Sequence, residues 1–175
     1  MSDVEPIRSE RLELLSLARP FREAVVRGQR RRAERILGVK LPADFPGPEG
    51  WRFRRRHLQL EAHPELERWL IRLMVLRESR EVIGTMGFHG APDAEGRLEL
   101  GYQVFPPHRR LGYATEAARA LIGWAHEREG ITRFLASVAP TNAPSLAVVR
   151  KLGFVESGSR IDEAEGLELV FELHL

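Results

Sequence analysis

Between Pro106 and Ala125 the chain reads PPHRRLGYATEAARALIGWA. Arg109 and Arg110 stand just ahead of Gly112, and an apolar-patterned helix follows with no polar linker. The first N–H groups of a helix lack partners inside it, so that end is electropositive. Arginine adds a planar cationic fork suited to phosphate, and glycine lets the backbone approach a ligand closely. The amides of residues 110–115 can then converge on a pyrophosphate. The chemistry written here is the docking of a phosphorylated anion.

Composition narrows what such a site serves. The 175 residues suit a single domain, 1–175, long enough to bury a substantial core. The make-up is that of an ordinary globular chain, 43% hydrophobic and 30% charged. A net charge of only +2 argues against nucleic acid as a partner, although nearly every basic residue except Lys40 and Lys151 is arginine. Cysteine is absent, which removes disulfides, cysteine-ligated zinc and any cysteinyl acyl intermediate. His57 and His63 lack metal-ligand spacing, so no metal is expected. The first ten residues show no basic-then-apolar leader, and the most apolar stretch, Trp69–Leu76, is short and carries Arg72. The expectation is a cytoplasmic protein with no membrane span.

Periodicity supplies the elements that must hold the anion site. RLELLSL (Arg11–Leu17) reads as an opening strand, residues 20–37 as a helix, Gly38–Gly50 as a loop, and PELERWL (Pro64–Leu70) as a short helix. LIRLMVLRE, EVIGTMGFHG and RLELGYQVF read as three antiparallel strands, joined at Ser79–Glu81 and Ala91–Gly96. A helix over about Thr115–Arg128, stopped by Gly130, leads to RFLASVAP (Arg133–Pro140). That crossover implies a strand parallel to RLELGYQVF. A second helix, Ala143–Leu152, stops at Gly153, with Phe154 behind it. FVESGSRI and LELVFELHL close the sheet around a turn at Asp162–Gly166. The expected architecture is α/β: a mixed sheet with helices on both faces.

Arg109, Gly112 and Ala114 also spell R-x-x-G-x-A. Together, LELGYQVFPPHRRLGYATEAARAL and NAPSLAVVRKLGF (Asn142–Phe154) resemble the two signatures of the GNAT superfamily of acyl-CoA-dependent N-acetyltransferases. They look most like its ribosomal-protein N-terminal acetyltransferase branch. The resemblance runs from Arg11 to Phe171. It implies a mostly antiparallel twisted sheet, splayed where acyl-CoA enters. It also implies acetyl-CoA as donor, and a small-molecule amine or a protein N-terminus as acceptor.

The implied roles fall on particular residues. Arg109 and Arg110, with the amides of Leu111, Gly112, Tyr113, Ala114 and Thr115, would hold the CoA pyrophosphate. The backbone of Val104 and Phe105 would pair with the pantetheine arm, and an amide there would polarise the thioester carbonyl. Asn142 would bond the pantetheine near its sulfur. Glu99 is the candidate general base, with His89 across the hairpin as a second. Many relatives carry a tyrosine, the thiolate's acid, four residues before the glycine of the G-F pair; here that position is Val149, so the acid role passes to Ser145.

Plainer readings stand beside these. The 109–115 turn suits an ordinary helix start, Asn142 an N-cap and Ser145 a first-turn polar residue. Glu99 alternates with two leucines as a solvent-facing strand residue would, and His89 sits where a hairpin ends. The arginines of 19–35 and Arg54–Arg56 read as solvated faces, and Trp51, Trp69 and Trp124 as core or groove wall. A non-catalytic acyl-CoA sensor and a ribosome- or RNA-associated module are the rival functions. The apolar C-terminal strand suggests pairing across a homodimer.

Overall fold

The computed structural model describes residues 4–47, 50–163 and 166–175. Its strands are β1 (Ile7–Arg8), β2 (Leu12–Ser16), β3 (Arg72–Leu76), β4 (Val82–Phe88), β5 (Arg97–Val104), β6 (Arg133–Val138), β7 (Val155–Asp162) and β8 (Gly166–His174). The α-helices among the described residues are α1 (Arg19–Val26), α2 (Arg30–Leu37), α3 (Gly50–Ala62), α4 (Tyr113–Glu129) and α5 (Ala143–Lys151). All eight strands form one sheet in the order β1-β2-β3-β4-β5-β6-β8-β7. Every pairing is antiparallel except β5 with β6. The helical crossover read from the sequence produces that parallel pair.

Two apolar clusters cover the two faces. Leu73, Val75 and Val82 face α1–α3 and pack with Phe21, Ala24 and Phe53, while Met74, Met86 and Phe88 face α4 and pack with Ala118, Leu121 and Ile122. Strand β3 contributes to both clusters, which is why it is apolar after Arg72 rather than alternating.

The parallel pair is short, and this makes the site. β5 and β6 are in register only at Arg97↔Arg133, Leu98↔Phe134 and Glu99↔Leu135. Beyond Glu99, β5 continues to Val104 paired with β4 alone, and β6 continues to Val138 paired with β8. The sheet opens there into a V.

Several expectations need correction. The single helix over 20–37 is two helices, broken where Gly28 takes φ +69°. The loop expected over 38–50 ends at Gly50, where α3 begins; Pro48 and Glu49 lie outside the described residues. The arginine-rich α3 buries Phe53 and Leu60, seven positions apart, too sparse a stripe to announce a helix. β1 is two residues long and gave no signal. The C-terminal strand β8 is not an edge: it lies between β6 and β7, and exposed β7 is the edge instead. The argument for a dimer through the C-terminal strand therefore fails. The turn expected over 162–166 includes Ala164 and Glu165, which lie outside the described residues.

Arg22 is not on a solvated face either. It is 2% exposed, and its guanidinium donates to the Leu17 carbonyl and pairs with Glu61. Trp69 and Trp124 pack edge to face at 5.9 Å, but Trp51 is exposed.

Glycines along the sheet test its packing. A Cβ on Gly87 would stand 2.6 Å from both Ile71 Cα and the Leu70 carbonyl oxygen, which are backbone atoms unable to yield. Gly87→Ala is expected to destabilise the protein by about 1–3 kcal/mol, as overpacking does. Gly123→Ala, on α4 with nothing within 4 Å, should instead stabilise it slightly. Thermal melts of the pair would show opposite shifts; a melt of Gly87→Ala equal to that of the parent would contradict the packing.

Candidate functional site

The V between β5 and β6 opens into a cleft of about 700 Å³. One wall is the end of β5, with Tyr102, Gln103 and Val104; the opposite wall is the first turn of α5, with Ser145. The mouth is the turn into α4, where Arg109, Arg110, Gly112, Tyr113, Ala114 and Thr115 all line the cleft. Leu111, Phe105 and Asn142 do not line it.

The backbone at the mouth takes a form that can accept an anion. Arg110 and Gly112 both take left-handed backbone, φ +63° and +84°, on either side of Leu111. Left-handed residues among right-handed neighbours turn successive amides toward one side, forming a concave nest. The N-cap of α4 is Gly112, which has no side chain to cap the helix. The first amides of α4 therefore lack a side-chain acceptor.

Sequence reasoning missed the residue that braces this turn. Arg11, just ahead of β2, donates from both terminal nitrogens to the Leu111 carbonyl at 3.2 Å. Its guanidinium stacks 4.4 Å from the Tyr113 ring centroid and pairs with Glu116 at 2.7 Å. Glu116 also accepts from the Ser9 hydroxyl and the Arg11 amide. The start of α4 is thus tied to the start of β2.

The strand wall separates the two backbone positions, Phe105 from Val104. The Phe105 amide donates to the Ile83 carbonyl at 2.9 Å, so it is occupied by the sheet and not available to a ligand. In an antiparallel ladder the bonding direction alternates. With Phe105 and Gln103 turned toward β4, the backbone groups of Val104 and Tyr102 point across the V. The Val104 carbonyl there accepts from Arg109 Nε at 2.8 Å, which leaves the Val104 amide facing the cleft. Asn142 caps α5, its side-chain oxygen accepting from the Ser145 amide at 3.2 Å. Val149 is fully buried in the core.

Glu99 and His89 are brought together, away from the cleft's lining. Leu98 and Leu100 enter the core with α4, so Glu99 between them projects from the other face of the sheet. Arg160, from β7, grips its carboxylate with two nitrogens at 2.7 and 3.1 Å. His89 Nδ1 lies 3.6 Å from the same carboxylate, an ion-pair rather than a hydrogen-bond distance. Burial pushes the Glu99 carboxyl up, but His89, Arg160 and the nearby Ser137 outweigh it and bring it down to about 2. The buried Ser137 hydroxyl meets no partner in hydrogen-bond geometry, so Arg160 and His89 are the firm contacts. The other imidazole nitrogen, Nε2, lies over Gly101: a Cβ at that position would be 2.4 Å away. Glycine at 101 is what lets the ring lie along β5.

No helix among the described residues is long and apolar enough to cross a membrane, and no three His, Asp or Glu side chains among them are grouped to hold a metal ion.

Comparison with known proteins matches residues 14–155 to a family described as an acetyltransferase (GNAT) domain. The uncharacterized N-acetyltransferase YjdG of Bacillus subtilis (strain 168) is 31% identical over 153 residues, 85% of this chain and 89% of that one. The ribosomal-protein-S5-alanine acetyltransferase of Vibrio fischeri superposes with a TM-score of 0.65 at 19% identity, covering 97% of this chain and 96% of that one. The microcin C7 self-immunity acetyltransferase MccE, solved with acetyl-CoA and AMP, superposes with a TM-score of 0.66 at 16% identity over 95% and 94% of the two chains. The two structural likenesses speak to the fold.

Proposed function

The chain belongs to the GNAT acetyltransferase family, and on that premise we propose that it moves an acetyl group from acetyl-CoA to a primary amine by direct attack in a ternary complex. The observation that carries the reading is the uncapped, arginine-flanked start of α4 opening onto the V where β5 leaves β6. The CoA pyrophosphate sits on the amides of residues 112–115 with Arg109 and Arg110 beside it. Pantetheine runs down the V along β5, and the Val104 amide polarises the thioester carbonyl. Ser145, on the facing wall, stands at the sulfur end.

The base is better read as His89 than as Glu99. A carboxylate near pKa 2, held by an arginine, has little affinity for an amine's proton. Neutral imidazole accepts a proton near physiological pH. Glu99 then acts through His89, as the carboxylate 3.6 Å from Nδ1 that favours the imidazolium formed when the ring takes the proton, while Nε2 lies over β5. An α-amino group, with a pKa about 8, offers more neutral amine at pH 7 than lysine at about 10.4.

The test is thiol release from acetyl-CoA across peptides with varied N-termini, free amino acids, polyamines and aminoglycosides, each against a blank without acceptor. Release above the blank with one class is expected, and it names the acceptor. Acetyl-CoA binding without release from any class would favour a non-catalytic sensor. Absence of binding would overturn the reading.

A further inference from the structure

Leu111 stands between the two left-handed residues of the turn, Arg110 and Gly112. Its carbonyl accepts from both terminal nitrogens of Arg11, each at 3.2 Å. The peptide that joins Leu111 to Gly112 is trans. In a trans peptide the carbonyl and the N–H point in opposite directions. A carbonyl turned toward Arg11 therefore turns the Gly112 N–H away from it. Gly112 lines the cleft and Arg11 does not. No backbone carbonyl among the described residues accepts from the Gly112 amide. One peptide plane thus presents a carbonyl to a guanidinium on its outer side and an open amide on the other. Arg11 is itself held in place. Glu116 accepts from its Nε at 2.7 Å and from its backbone amide at 2.8 Å, and the Tyr113 ring lies 4.4 Å from the guanidinium. The Ser9 hydroxyl donates to the same Glu116 carboxylate at 2.7 Å. A cation fixed on a carbonyl draws electrons toward the oxygen, which leaves the N–H of that peptide more positive and a stronger donor.

We propose that Arg11 is a positioning residue for the donor substrate: by gripping the Leu111 carbonyl from behind, it aims the Gly112 amide at the CoA pyrophosphate and strengthens it as a donor. This rests on the acetyl-CoA reading above. The guanidinium acts through the peptide and not by touching phosphate. Ser9, Glu116 and Tyr113 serve the same end, because they keep Arg11 on the carbonyl. The role belongs to binding of the donor, so it leaves the chemical step alone.

The experiment compares acetyl-CoA with S-acetylpantetheine, a thioester donor that lacks every phosphate, using the acceptor that thiol release identifies. In Arg11→Met the KM for acetyl-CoA should rise by about 10-fold, the scale of one good hydrogen bond. Its kcat should change by less than about twofold, the pattern of a contact made equally in ground and transition states. With S-acetylpantetheine, kcat/KM should stay within about twofold of the parent, because that donor leaves the turn empty. Arg11→Lys keeps a cation beside Glu116 but lacks the planar fork. It should show the same donor-selective loss at roughly threefold. Thermal melts accompany the kinetics, and Arg11→Lys carries the test if Arg11→Met does not fold. Equal losses with both donors, or no loss with acetyl-CoA, would overturn the role of Arg11 and leave the acetyl-CoA reading standing. A parent with no preference for acetyl-CoA over S-acetylpantetheine would overturn both.

Discussion

Replacing Gly112 with valine is expected to weaken acetyl-CoA binding by about 10- to 100-fold, the equivalent of one or two charge-assisted hydrogen bonds, while the fold survives. The cause lies in the backbone. Gly112 sits at φ +84°, where a β-branched residue is strained by about 1–3 kcal/mol. That strain is relieved by rotating the peptide planes on either side, which turns the amides out of the nest. Bulk matters less than a sequence reading suggests. A Cβ at Gly112 would meet only an Arg11 nitrogen at 3.5 Å, an ordinary contact. Gly112→Ala should therefore weaken binding nearly as much as valine does. Calorimetric titration with acetyl-CoA, beside thermal melts, distinguishes the cases. Full affinity in the valine variant would remove the phosphate site from this turn. An alanine variant that binds normally beside a valine variant that does not would assign the effect to bulk.

The second large effect is expected at His89. His89→Ala should lower turnover by about 100-fold or more, the usual contribution of a general base, with little change in acetyl-CoA affinity. The deficit should narrow as pH rises, because more of the acceptor amine is already neutral. Glu99→Gln should cost less than His89→Ala, because Glu99 acts by holding the imidazole and Arg160. Glu99 does not shape the pH profile near neutrality. Its folded pKa, about 2, lies below the ordinary 4.5, so its stabilising contribution is present above 4.5 and is lost as pH falls from there toward 2. Steady-state rates from pH 6 to 9 check this. A His89→Ala enzyme at full rate, or one whose deficit is constant with pH, would dismiss the imidazole as base.

Much of the site was legible because its cause is local. A glycine and two arginines at a helix start, after a strand, suffice to make a concave cationic turn. The parallel partner of β5 followed from chain order, since a strand–helix–strand crossover has one common hand. The mixed sheet followed from short hairpin connections on one side and that crossover on the other. Where the apolar stripe was thin, legibility failed. α3 buries few side chains, and the break at Gly28 is one residue's backbone, invisible inside a long arginine-rich run.

Which groups are paired, buried or free was decided only by the tertiary structure. Glu99 reads as a base until Arg160, 61 residues later, grips its carboxylate. The nest at Arg110–Gly112 is braced by Arg11, 100 residues before Leu111. Phe105 looked available to a ligand until Ile83 took its amide. The C-terminal strand has the apolar pattern of an edge or an interior strand alike, and only its pairing with both β6 and β7 placed it inside. Backbone conformation and periodicity are set within a few residues, so the arginine-flanked turn and the sheet's layout were written in the sequence. Protonation, hydrogen-bond availability and strand order are set by groups distant in the chain, so they were decided only when folding brought those groups within a few ångströms of one another.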